Sequence, residues 1–99
     1  MNDFPEVVQV VPHEDYSVTV YFSDGKIVRF DVRPDLDSGV FRALRDLDTF
    51  MQCCTIMNDT LAWDIERSGD PARCIDIDPD MLHSLEAVED PLREYSEKR

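Results

Sequence analysis

Apolar and polar positions alternate through the first third of the chain. In Ser17–Phe22, Val18, Val20 and Phe22 fall on one side, and Ser17, Thr19 and Tyr21 fall on the other, the pattern of a half-buried strand. Val28, Phe30 and Val32 repeat it over Ile27–Val32. A β-branched run, Val7–Val11, closed off by Pro5 and Pro12, predicts a strand ahead of both, since proline is tolerated at strand ends.

The link between the second and third strands fixes a register. A two-residue Asp24-Gly25 loop would set Phe22 against Ile27 and Val20 against Arg29, apolar opposite polar along the ladder. A three-residue Ser23-Asp24-Gly25 loop instead pairs Val20 with Val28 and Val18 with Phe30. It also puts Gly25 at the left-handed position that glycine tolerates best. The outer face then opposes Thr19 to Arg29 and Tyr21 to Ile27, a mixed surface suited to water or a partner.

The period changes over Asp37–Cys53. Val40, Phe41, Leu44, Leu47, Phe50 and Met51 recur at three- and four-residue spacings, predicting an apolar helical stripe that packs on the Val18, Val20, Val28, Phe30 face. Asp37 or Ser38 caps its start, and Asp46 is a second cap that kinks the helix or divides it in two. Cys54–Met57 and Thr60–Ile65 flank Asn58-Asp59 as another hairpin. Cys74–Ile77 gives a last strand after the breaker-rich Arg67–Pro71. Asp78 as N-cap and Pro79 at the first helical position open a helix whose buried stripe is Met81, Leu82, Leu85 and Val88. The expected fold is α+β, a small mostly antiparallel sheet with two main helical segments packed on one face. Residues 1–88 form the single domain, and the polar stretch 89–99 forms a C-terminal tail.

Charge narrows the partners. The 99 residues carry 22 Asp and Glu against 10 Lys and Arg, a formal net charge of -12 that repels phosphate backbones, so nucleic acid is not an expected partner. No apolar run is long enough to span a membrane, and Met1–Val11 has no signal-peptide pattern. Three cysteines, two of them adjacent, do not form a disulfide framework and point to a reducing cytoplasm.

Candidate chemistry is sparse. Asp76-Ile77-Asp78-Pro79-Asp80 has the alternating acids that begin a calcium loop, but Met81 stands where the turn needs glycine, and Ala87 where a bidentate Glu belongs. His13, His83 and the cysteines lack zinc-ligand spacing. His13 reads as loop and His83 as a helix-edge side chain. No basic neighbour is placed to activate a thiol, and neither a phosphate loop nor a nucleophile elbow occurs. No catalytic, cofactor-binding or metal-binding residue is assigned. The contact candidates are Tyr21 on the outer sheet face, Trp63, Asp76 and Asp78.

Taken in order, several motifs resemble the bacterial domain-of-unknown-function family numbered 2442, over roughly residues 5 to 85. They are Pro5-Glu6-Val7, Phe22-Ser23-Asp24-Gly25, Phe30-Asp31-Val32, Gly39-Val40-Phe41, Leu44-Arg45-Asp46 with Phe50, Trp63, and Asp76 through Leu82. The resemblance implies a compact α+β fold without an established activity. It also implies a binding module, since members look like stand-alone proteins or domains preceding a helix-turn-helix. This chain has a longer Asp64–Arg73 connection and no helix-turn-helix, so a transcription-regulator role is not implied. The leading expectation is a non-catalytic interaction or regulatory module that binds a small protein partner or itself. The rival is a small-ligand binder or enzyme with an acidic cleft near Asp76, Asp78 and Trp63.

Overall fold

In the computed structural model, which describes residues 4–90, six strands divide into two three-stranded antiparallel sheets. Sheet A has the order β1 (Val7–Pro12), β2 (Ser17–Phe22), β3 (Ile27–Asp31). The register is that of the three-residue loop: Val20 lies opposite Val28, Val18 opposite Phe30, and Tyr21 opposite Ile27. Gly25 takes φ +94°, and its N–H donates to the Phe22 carbonyl at 3.0 Å. Pairing this way keeps every valine of the inner face against another apolar side chain. In β1 the register shifts between Val7 and Gln9, a bulge that turns Val8 out to solvent.

Sheet B has the order β4 (Cys54–Met57), β5 (Thr60–Trp63), β6 (Ile75–Asp76). Asn58 and Asp59 connect the first pair with φ of 55° and 63°, the doubly left-handed turn that suits the strand twist and that Asn and Asp tolerate. The Asp59 carbonyl accepts from the Val7 N–H at 3.3 Å, tying sheet B to β1.

One core serves both sheets. It contains the sheet A residues Val18, Val20, Phe22, Val28 and Phe30, together with Leu44, Phe50, Leu61, Trp63, Ile77 and Leu82. Phe50 and Leu44, from the expected helical stripe, lie on the predicted sheet face, and Tyr16 meets Phe50 edge-on at 5.2 Å between ring centres. Each large side chain fully removed from water contributes about 1.5–3 kcal/mol.

The helical region divides at Asp46 as expected, and departs from the expectation in its first half, in the capping and in Val40. The two pieces are a 3₁₀ stretch, Gly39–Arg45, and an α-helix, α1 (Leu47–Cys53). The Asp46 carboxylate accepts from no backbone amide and instead takes the Thr49 hydroxyl at 2.8 Å, while its main-chain carbonyl accepts from the Phe50 N–H at 3.0 Å. Val40 leaves the stripe and is 66% exposed, because a 3₁₀ turn of three residues shifts side-chain directions relative to an α-helix. The last helix, α2 (Pro79–His83), has Asp78 as its cap, whose carboxylate accepts from the Asp80 N–H at 3.0 Å. It ends a turn early. Leu82 is buried, but Met81 and Val88 are substantially exposed, and Val88 instead donates its N–H to the Ile27 carbonyl at 2.8 Å. With the Val28–Ala87 bridge, this lays residues 87–88 along the free edge of β3.

Candidate functional site

Sheet pairing separates the residues nominated from sequence. Trp63 is fully buried and lies opposite Ile75, while its neighbour Ala62 lies opposite Asp76. Adjacent strand residues point to opposite faces, so Trp63 faces the core and Asp76 the outer side of sheet B. The Trp63 indole N–H donates to the Phe50 carbonyl at 3.0 Å. The Asp76 carboxylate accepts from the Asn58 amide at 3.2 Å, and Asp78 caps α2. Trp63, Asp76 and Asp78 therefore do not line a common cleft.

Tyr21 is placed differently. It is half-buried on the outer face of sheet A, and its hydroxyl donates to the Asp90 carboxylate at 2.8 Å. Burial, followed by this bond and the Asp90 charge, pushes the phenol up to about 12. Asp90 lies in the expected polar tail, residues 89–99, and is anchored through this bond. Residues 91–99 of that tail lie outside the described residues. Around Tyr21 the outer face holds half-buried Val11 and Ile27, buried Thr19 and exposed Arg29, with Thr19 opposite both Val11 and Arg29. The Asp15 carboxylate accepts from Arg29 and from the Ser17 hydroxyl, the latter at 2.5 Å, and His13 bonds Thr19 at 2.7 Å.

Other reactive groups are held in structural contacts. His83 bonds the Asp24 carboxylate at 3.0 Å and packs edge-on against Phe22 and Phe4, fastening α2 to the first hairpin. Cys53 is buried, and burial pushes the Cys54 thiol up to about 12. Burial, then the Asp76 charge, also raises Cys74. Among the described residues, no group of three or more His, Cys, Asp or Glu could hold a metal ion. No helix among them is long and apolar enough to cross a membrane.

A second surface feature was not legible in the sequence. The connection after β5 folds back because the Asp64 carboxylate accepts from the Ser68 and Gly69 amides, at 3.2 and 2.9 Å. The fold-back forms one wall of a groove of about 410 Å³ beside the end of α1 and the outward residues of β4. The run Arg67–Pro71 reads only as a chain breaker, and the one signal for the groove was an Asp preceding a Ser-Gly pair by four residues.

Two antiparallel sheets around one core with short helices define a small α+β protein. The family described as protein of unknown function, DUF2442, matches residues 7–86, and the chain belongs to that family. No match is found among curated proteins or among solved structures.

Proposed function

We propose that the protein is a non-catalytic interaction or regulatory module of the bacterial cytoplasm, presenting the outer face of sheet A to a small protein partner or to a second copy of itself. The observation that carries this reading is the row of Val11, Tyr21 and Ile27, half-buried apolar side chains flanked by Arg29 and Asp15. Aromatic and aliphatic side chains set among paired charges form the kind of patch that loses little on desolvation. The net charge of -12 favours a partner that brings basic residues to the rim and speeds encounter with it. The engagement of Trp63, Asp78, His83 and the thiols in packing, capping and hydrogen bonds favours binding over chemistry.

Light scattering on eluted fractions, combined with affinity capture from native lysate, tests the reading with the parent chain and an Ile27→Glu variant. The expected result is a dimer or a retained partner that the variant loses while its thermal midpoint holds. A parent that is monomeric and retains nothing, or an Ile27→Glu variant that associates like the parent, would overturn it.

A further inference from the structure

We propose that the groove beside sheet B binds a small molecule carrying one carboxylate on a short apolar body. The site lies apart from the sheet A face and does not depend on the reading above. Its volume of about 410 Å³ falls at the small end of the ~300–1,000 Å³ range for small-molecule pockets, which suits a metabolite better than a peptide.

Three elements build it. The last turn of α1 supplies Gln52, the outward row of β4 supplies Thr55 and Met57, and the fold-back after β5 supplies Arg67 and Ser68. Arg67 is the one cationic side chain among the lining residues. It sits at φ +54°, a left-handed conformation that disfavours an ordinary side chain. The fold-back holds it there, since the Arg67 N–H donates to the Asp64 carbonyl at 3.0 Å while the Asp64 carboxylate takes the next two amides. From this position the guanidinium reaches across to the Gln52 side-chain oxygen at 2.9 Å. That bond uses one donor of a five-donor fork and leaves the Gln52 amide nitrogen as a further donor at the groove.

The ligand class follows from this donor set. A guanidinium with an amide and the Thr55 and Ser68 hydroxyls beside it matches a planar carboxylate, which Arg binds in two-point fashion. Met57 offers an apolar wall beside these donors. A dianion is a poorer fit, because Asp64 stands in the wall and the whole chain carries -12.

The test is a titration of the isotopically labelled chain, followed by amide shifts, with hexanoate, hexanol, hexylammonium and inorganic phosphate as separate probes. Saturable shifts confined to residues 52–57 and 64–69 are expected with hexanoate, at an affinity at least about tenfold above the other three. Arg67→Asn removes the cation but keeps a residue that accepts the left-handed backbone. It should weaken hexanoate binding about tenfold or more, with the thermal midpoint unchanged or raised. The proposal is overturned if hexanoate gives no localised shifts, if hexanol or phosphate binds as well, or if Arg67→Asn binds like the parent.

Discussion

Trp63 and Phe50 are joined twice, by a 3.0 Å hydrogen bond from the indole N–H to the Phe50 carbonyl and by rings 5.6 Å apart at 35°. The pair fixes α1 against β5, and through Phe50 it reaches Tyr16 at the start of the first hairpin. Trp63→Phe removes the donor, leaves a buried carbonyl without it and opens a void. The expected loss is about 2–4 kcal/mol in urea denaturation followed by far-UV circular dichroism. A loss below about 1 kcal/mol would show that the core closes around the smaller ring.

What could be read in advance depended on how local each determinant is. The Ser23–Gly25 loop was legible because only one loop length matches valines to valines, and Asp78-Pro79 because cap and first-turn preferences act within a few residues. The division into two sheets was not, since nothing local to Cys54–Met57 says that it pairs with β5 alone while β1 ends at β2. Val40 was misplaced because the apolar spacing in Gly39–Arg45 fits an α-helix, whereas the chain takes a tighter turn. Trp63 was grouped with Asp76, and their separation onto opposite faces required the strand register. The groove was invisible because Arg67 is positioned by the Asp64 carboxylate, whose amide partners lie in a stretch marked only by its breakers.

Alkaline titration probes the Tyr21–Asp90 bond. With the phenol at about 12 in the folded chain against an ordinary 10.0, the folded state keeps its proton where the unfolded state has lost it. The contribution to stability is therefore complete below pH 10 and is lost as pH rises toward 12. Asp90→Asn removes the neighbouring charge and should bring Tyr21 ionisation, read by ultraviolet absorbance, to lower pH. An unchanged titration in that variant would leave burial as the sole cause.

The Asn58-Asp59 turn is open to improvement. Both residues are left-handed, and glycine at the second position is the strongest two-residue hairpin choice. Asp59→Gly should stabilise the chain by about 0.5 kcal/mol, the relief at φ 63° outweighing the added unfolded-state freedom. The bond from Val7 uses the Asp59 carbonyl and survives the change. A fall in thermal midpoint would mean that the Asp59 side chain contributes to the turn in its own right.

Acid stability should depend on Ser17. Its hydroxyl bond is the main reason the Asp15 carboxyl lies below its ordinary 3.8, with the Ser17 amide and the Arg29 charge adding to the effect. For a carboxylate depressed by folding, the stabilisation is present above pH 3.8 and disappears as pH falls through the folded value. Ser17→Ala should consequently destabilise the chain more at pH 7 than at pH 2, in parallel denaturant titrations. In an Asp15→Asn background that difference should vanish, because the group whose ionisation Ser17 favours is gone. Arg29→Gln should change the pH dependence much less, since the Arg29–Asp15 pair is exposed to solvent on both sides, and such pairs are worth about 0–1 kcal/mol. An equal effect of Arg29→Gln and Ser17→Ala would instead assign the depressed carboxyl to the ion pair.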